Sequence, residues 1–175
     1  MFVAIHTLLR SSGGGRGLVQ LVLTDIKDRG WHPSSHIYTM LVDHHLSQEP
    51  ADIAAAEDLI AEFRQREPMR DSRVFWLRVM NGYAKAGELD ESMEVFRRLM
   101  AASTSISPHD ATRLLRGLVQ HGRMDDARKL VNGVLGSAGE GPAKEGERQW
   151  RHRFWHVAQE NGLLEGVEQW PPSAR

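Results

Sequence analysis

The fold is decided by residues 73–100, which read RVFWLRVMNGYAKAGELDESMEVFRRLM. Apolar side chains recur there every three or four positions, a spacing that places them on one face of an α-helix. The pattern predicts two short amphipathic helices joined at Gly87, which suits the left-handed position that ends a helix. Asp90 and Glu91 then put negative charge in the first turn of the second helix, where the helix dipole favours it. The stretch is therefore a helical hairpin that cannot bury both of its apolar faces alone.

The same unit returns further along the chain, because residues 114–131 align with residues 79–96 without a gap. Gly122 follows Gly87 by 35 residues, and a fixed period in this range is the mark of a helical repeat array. The motif of residues 79–100 resembles a pentatricopeptide repeat of the P type. A tetratricopeptide repeat is less similar, since it has a small residue where Met80 and Leu115 stand and a period of 34 rather than 35.

This resemblance implies an all-α protein, a right-handed solenoid of stacked antiparallel helical hairpins. Stacking also follows from energetics, because burying a Leu or Phe stabilises by roughly 1.5–3 kcal/mol. Ordering the backbone costs about 1–2 kcal/mol per residue, so hairpins must cover one another. Small residues at equivalent places on the second helices would let paired helices approach: Ala56, Ser92 and Ala127.

The period divides the chain into about five units. We expect one continuous solenoid domain with these parts: a degenerate first repeat (1–34), repeat 2 (35–72), repeat 3 (73–107), repeat 4 with a Gly-rich linker (108–147), and a partial C-terminal repeat or cap (148–175). Residues 1–9 are apolar and basic, which also resembles a mitochondrial targeting peptide. The degenerate repeat is the favoured interpretation, because residues 18–34 match the second helix and closing turn of a unit.

Composition excludes several classes of protein. The net charge is −1 and 41% of the residues are hydrophobic, which is an ordinary globular balance. There is no cysteine, so disulfides and thiolate metal sites are excluded. No run approaches the roughly 18 apolar residues that would indicate a membrane span.

The resemblance implies that single-stranded RNA is bound along the first helices, with about one base read by each unit. The base-reading places fall on Thr39 with Ser72, Leu77 with Ser107, and Thr112 with the linker near Glu147, although Leu77 can neither donate nor accept a hydrogen bond. The places that would sandwich a base fall on His36, Val74 and His109. The predicted RNA-binding residues are Thr39, Ser72, Val74, Arg78, Asn81, Lys85, Ser107, His109, Thr112, Arg113 and Arg116.

Charge is divided between the two helices of each unit. The first helices of the last three units contain more basic residues than acidic ones. The basic residues are Arg73, Arg78, Lys85, Arg113, Arg116, Arg148, Arg151 and Arg153. The second helices gather acids, at Glu57, Asp58, Glu62, Glu88, Asp90, Glu91 and Glu94. A basic stripe is what phosphate contact requires. The alternative is that these are simply the solvated faces of amphipathic helices.

A second function of another class stays open at this stage. The solenoid could be a protein-binding scaffold, or a subunit of an organellar assembly such as the mitochondrial ribosome, because concave repeat surfaces also bind proteins. Exposed tryptophans would then be anchors, at Trp31, Trp150, Trp155 and Trp170, with a core role open for Trp155. An RNA contact should weaken steeply with salt, whereas an apolar protein contact should not.

Enzyme chemistry finds no support in the motifs. His32 with His36 and His152 with His156 have one-turn spacing, but neither pair has a third metal ligand nearby. No nucleophile is accompanied by a base. We therefore expect no catalysis, no metal, no cofactor and no small-molecule substrate, and the family resemblance implies a mitochondrion or another organelle.

Overall fold

The computed structural model describes residues 21, 24–26, 28–30, 33–65, 72–137 and 152–165, and these ranges contain helices, turns and no strand. Residues 24–26 are helical, and seven complete helices follow: α1 (Ser35–Leu46), α2 (Ile53–Arg64), α3 (Arg73–Ala86), α4 (Leu89–Ala101), α5 (Pro108–Gln120), α6 (Met124–Ser137) and α7 (Arg153–Glu160). The predicted all-α class, with adjacent helices packed as in a helical-repeat solenoid, is confirmed. The possible targeting segment, the Gly-rich linker and the C-terminal end lie mainly outside the described residues.

The chain forms two compact units, of which the first covers Met1–Pro68. In this unit α1 packs against α2 as a hairpin. Tyr38 joins the two helices, because its hydroxyl donates to Glu62 Oε1 at 2.7 Å and its ring meets Phe63 edge to face. Ile26 is buried in one cluster with Ile37 and Leu41 of α1, and Leu59 of α2 packs against that cluster, so the segment before α1 shares this core.

The second unit covers Met69–Arg175 and contains α3 to α7. The hairpins α3–α4 and α5–α6 lie side by side: α3 contacts α5, and α4 contacts α6. Helix α7 also packs against α5. Helices α3, α5 and α7, the first helices of successive units, therefore form one layer. Helices α4 and α6 form the layer of second helices. None of the helices in the described ranges is both long and apolar enough to cross a membrane.

The hairpin ends repeat in the backbone as they do in the sequence. Gly87, Gly122 and Gly162 end α3, α5 and α7 with φ values of +89°, +69° and +65°. After each glycine, the next amide donates to a carbonyl in the last turn of the preceding helix, with N–O distances of 2.9–3.0 Å. Helix α7 therefore closes in the same way as the two helices that precede it in the layer, although the strict period is broken between residues 135 and 152.

Close helix packing depends on small side chains. Ser92 and Ala127 are fully buried, and Ser92 Oγ donates to the carbonyl of Met80 at 2.8 Å across the hairpin. Gly117 and Gly133 allow neighbouring hairpins to approach, because a Cβ on either would lie within 2.8 Å of a side chain of α4. The small residues predicted for the second helices are thus buried where the helices meet.

Candidate nucleic-acid interface

A groove of about 820 Å³ runs over the first-helix layer of the second unit. Its lining comes from α3, α5 and α7 with the residue that precedes α7, and no residue of α4 or α6 contributes. Eight of the eleven predicted RNA-binding residues line it: Val74, Arg78, Asn81, Lys85, His109, Thr112, Arg113 and Arg116. The first helices therefore present these side chains on one surface.

The other three predicted residues lie elsewhere. Thr39 is on α1, in the first unit. Ser72 is buried at the N-cap of α3. Ser107 and Asp110 form a capping box on α5, because the Ser107 hydroxyl accepts from the Asp110 amide at 3.2 Å and Asp110 Oδ2 accepts from the Ser107 amide at 3.2 Å. The Ser107 hydroxyl also donates to Asp110 Oδ2 at 2.6 Å. Ser72 and Ser107 do not line the groove, and capping already uses the Ser107 hydroxyl.

The groove is strongly basic. Six cationic side chains line it, against one carboxylate: Arg73, Arg78, Lys85, Arg113, Arg116 and Arg153 against Asp110. Arg73 is already engaged, because Nη2 lies 3.4 Å from Asp110 Oδ2 and Nε donates to the carbonyl of Ser105 at 3.0 Å. The remaining five cations form no ion pair with any residue that the structure describes.

On the second helices, by contrast, charges are neutralised locally. Glu94 pairs with Arg97 and Arg98 on α4. Arg123 contacts Asp126 at 2.6 Å and reaches across to Asp90 of the neighbouring hairpin at 2.7 Å. The hydrogen bond from Arg123 is the main cause that lowers the pKa of Asp126. Unpaired positive charge is therefore concentrated on the layer of first helices.

Arg116 has an unsatisfied donor in this groove. Its Nη2 atom is buried and has no hydrogen-bond partner among the described residues. Leaving a charged donor buried without an acceptor costs free energy. The Nη2 atom itself is closed off from a ligand in this conformation, although the Arg116 side chain lines the groove.

The threonine hydroxyls are already committed as donors. Thr112 Oγ1 donates to the carbonyl of Pro108 at 2.6 Å, and Thr39 Oγ1 donates to that of Ser35 at 2.7 Å. A hydroxyl has one hydrogen and two lone pairs, so in this arrangement only the lone pairs face a ligand. Thr112 would therefore pair with a donor on a base edge. Leu77, at the equivalent place on α3, is apolar and only 7% exposed.

Asn81 joins two neighbouring first helices. Its Nδ2 donates to the carbonyl of Leu77 at 3.0 Å and to that of Asp110 on α5 at 2.9 Å. Both amide hydrogens are therefore used within the protein, and only Oδ1 is left to accept from a ligand. Asn81 lines the groove and also holds the spacing of α3 and α5.

The places predicted to sandwich a base are open to solvent. Val74 is 66% exposed, and His109 is exposed on the next first helix. Arg153 holds the same place on α7, because it precedes the buried pair Phe154-Trp155 as Val74 precedes Phe75-Trp76. Both aromatic pairs meet edge to face, with ring centroids 5.1 and 4.8 Å apart.

His152 and Arg153 line the groove but were not among the predicted RNA-binding residues. The dipeptide Phe-Trp occurs at residues 75–76 and again at 154–155, and aligning the two would have predicted that Arg153 corresponds to Val74. His152 caps α7, since its Nδ1 accepts from the amide of Phe154 at 3.2 Å. Burial lowers the pKa of His152, and the neighbouring His109 lowers it further.

Metal binding has no support in the described ranges, where no three His, Asp or Glu side chains are placed to hold an ion. His152 is used as a cap and His156 is exposed, while His32 lies outside the described residues. Trp155 is only 2% exposed and so takes the core role that the sequence left open. Trp31, Trp150 and Trp170 also lie outside the described residues.

Stacked helical hairpins of this kind define a helical-repeat protein. The family model for the PPR repeat matches residues 74–102 and 112–135, which cover α4 and most of α3, α5 and α6. The chain therefore carries at least two pentatricopeptide repeats, as expected for a family member with a short array, and the resemblance is confirmed. Proteins of this family generally bind RNA, and the repeat itself is not catalytic. No curated protein matches the chain significantly.

Proposed function

We propose that this protein binds single-stranded RNA along the groove of α3, α5 and α7, and that it acts in organellar RNA processing, stability or translation. The observation that carries the proposal is the charge distribution of the groove. Five cations without ion pairs among the described residues line it, and its one carboxylate, Asp110, is held by Arg73 and Ser107. A surface of this kind attracts a phosphate backbone.

The basic side chains would contact phosphates, and the exposed side chains nearest the helix starts would contact bases. Arg78 and Arg113 occupy equivalent places on successive helices, and Lys85 lies two turns further along α3. A base between Val74 and His109 would meet an apolar surface on one side and an imidazole ring on the other. Thr112 would then accept a hydrogen bond from the base edge, whereas Leu77 would select no particular base.

A mitochondrial location is part of the proposal and follows from the family resemblance. Pentatricopeptide repeat proteins are most often organellar, and residues 1–24 contain no acidic residue. The measurement is the distribution of the tagged full-length chain between organelle and cytosol fractions. Recovery in the cytosol alone would remove this part and leave the RNA-binding proposal in place.

A protein partner, such as an organellar assembly, is the competing ligand for the groove. Among the described residues, large hydrophobic side chains are exposed only at Leu21 and Val74. Protein interfaces usually depend on buried aromatic or aliphatic anchors, and a single exposed valine supplies little of that. The groove therefore favours RNA over a protein partner.

The test is binding of a fluorescent single-stranded RNA pool by the full chain at two salt concentrations. If Arg78, Lys85, Arg113 and Arg116 each contact a phosphate, affinity should fall roughly 50-fold between about 50 and 200 mM salt. The triple variant R78E/R113E/R116E should bind far more weakly and lose most of this salt dependence.

The matched control reverses three basic residues of the second-helix layer, R97E/R128E/K129E. These side chains are exposed and lie outside the groove, and the change in net charge is the same. The control should stay within about threefold of the natural chain, after allowance for the long-range effect of net charge. Equal losses in the two triple variants would show that overall charge, and not the groove, attracts RNA.

A further inference from the structure

One end of the groove is built by residues outside the two matched repeats. His109 of α5 faces His152, the N-cap of α7, with ring centroids 5.9 Å apart and ring planes at 82°. Both rings line the groove, and Arg153 lines it beside them. The matched residues end at 135, so His152 and Arg153 are contributed by a helix that no repeat match covers.

The surroundings of this pair are mostly positive. The charged groups that line the groove with it are Arg73, Arg78 and Lys85 on α3, Asp110, Arg113 and Arg116 on α5, and Arg153 on α7. Asp110 neutralises little of this positive charge near the histidines, because it already binds Arg73 and Ser107. An imidazolium at His152 would therefore face like charge, and it would also lose the Nδ1 acceptor that caps α7.

The hydrogen bond at His152 fixes how its neutral ring is protonated. Nδ1 accepts from the amide of Phe154 at 3.2 Å, so the proton of the neutral ring is on Nε2. The Nε2–H group is thus the donor that this ring has for a ligand. His109 is exposed, so its ring is open to a ligand as well.

We propose that His109, His152 and Arg153 form a phosphate-binding subsite at this end of the groove, and that a bound phosphate of the RNA strand favours proton uptake at His109, while His152 keeps its cap and donates from Nε2. The inference rests on the proposed function. A negative phosphate beside the two rings replaces repulsion from cations with attraction, which favours the imidazolium form. Because binding and proton uptake are linked, RNA should bind more tightly as the pH falls.

The experiment measures the affinity of the full chain for a fluorescent oligouridine between about pH 6 and about pH 8, at constant ionic strength. Uptake of one proton tightens binding by at most about tenfold per pH unit. We expect a gain of at least about threefold over the range for the natural chain. Calorimetry in two buffers with different ionisation enthalpies gives the number of protons directly.

The test variant is H109Q/H152N, which removes both titrating rings. Asn at position 152 keeps a side-chain oxygen that can cap α7, so the fold is preserved. The variant should lose the pH-dependent part of the affinity and the proton uptake. The matched control is H121Q, because His121 is an exposed histidine of the same unit that does not line the groove. Its pH dependence should equal that of the natural chain.

The outcomes separate the two proposals. Salt-sensitive RNA binding with equal pH dependence in the natural chain and in H109Q/H152N would overturn the subsite alone. Equal loss of pH dependence in H121Q would overturn it too, because the effect would not be specific to the pair. Absence of RNA binding at every pH would overturn the proposed function, and the subsite with it.

Discussion

Gly133 and Gly136 lie one turn apart on α6 but in different surroundings. A Cβ on Gly133 would lie 2.5 Å from Cζ of Phe96, a ring that is itself buried between the two hairpins. A Cβ on Gly136 would meet nothing within 4 Å. The two positions therefore separate the effect of close packing from that of helix propensity.

We predict that Gly133→Ala lowers the free energy of unfolding by about 1 kcal/mol. Overpacking costs typically 1–3 kcal/mol, which exceeds the gain of up to about 1 kcal/mol in helix propensity. Gly136→Ala, the control, should be neutral or slightly stabilising. Urea unfolding followed by circular dichroism measures both. A Gly133→Ala protein as stable as Gly136→Ala would mean that Phe96 moves aside without cost.

Single residues also show where sequence reasoning reaches its limit. The need for a small side chain at Ser92 could be predicted from the repeat, since Ala127 stands at the same place 35 residues later. The hydrogen bond from Ser92 to Met80 could not, because it depends on the distance between two packed helices. Asn81 shows the same limit, since its bond to Asp110 joins positions 29 residues apart.

Helix α7 depends on a titratable group at its N-terminus. Its N-cap is His152, whose Nδ1 accepts from the amide of Phe154 at 3.2 Å. Protonation at Nδ1 would remove this acceptor. Burial and then His109 lower the pKa of His152 in the folded protein, whereas the unfolded chain keeps a value near 6.5. Between these two values the unfolded state binds more protons, so stability rises with pH in that window.

We predict that the contribution of His152 is fully present above about pH 6.5 and is lost as the pH falls towards the lower pKa of the folded state. Amide hydrogen exchange in α7 should therefore speed up as the pH is lowered through this window, after correction for the intrinsic rate. The variant H152N keeps a cap that does not titrate, and it should lose this pH dependence. Unchanged pH dependence in H152N would assign the effect to another group.

The helices differ in how well their positions could be predicted. Gly87 and Gly122 predicted the ends of α3 and α5, because the left-handed backbone conformation after a helix strongly favours glycine. Pro108 indicated the start of α5 for a similar reason. The place of α7 beside α5 was harder to predict, because residues 136–147 interrupt the period and leave no fixed offset to extrapolate.

At the scale of the whole molecule, the second unit contains every residue that lines the groove. It extends over Met69–Arg175 and has its own buried core, which includes Trp76, Met93 and Leu114. A unit with its own core is able to fold alone. The first unit supplies Thr39 among the predicted RNA-binding residues, but no lining residue of this groove.

We predict that a protein of residues 69–175 alone unfolds cooperatively and binds the RNA pool within about threefold of the full chain at equal salt, because it keeps all the cations that we propose contact phosphates. Thermal unfolding by circular dichroism and fluorescence anisotropy are the measurements. The control is the same shortened protein carrying R78E/R113E/R116E, which should bind weakly. A folded fragment with a more than tenfold loss would place essential contacts in the first unit.

The positive charge of the groove could be predicted from the sequence. The availability of its polar side chains for a ligand could not. The excess of Arg and Lys on first helices could be read from the repeat register, and eight predicted residues do share one groove. Whether a side chain is free for a ligand could not be read in this way. Ser107 is consumed by a capping box, and the Thr112 hydrogen by its own helix, because local backbone groups compete for short polar side chains.

The groove takes its lining from α3, α5 and α7 alone, while the buried stripes of these helices face α4, α6 and one another. Positions such as Val74 and Arg113 are exposed and support no packing. Side chains at such exposed positions could therefore be exchanged to change what the groove binds without disturbing the scaffold, whereas Asn81 and His152 contribute to both the groove and the fold.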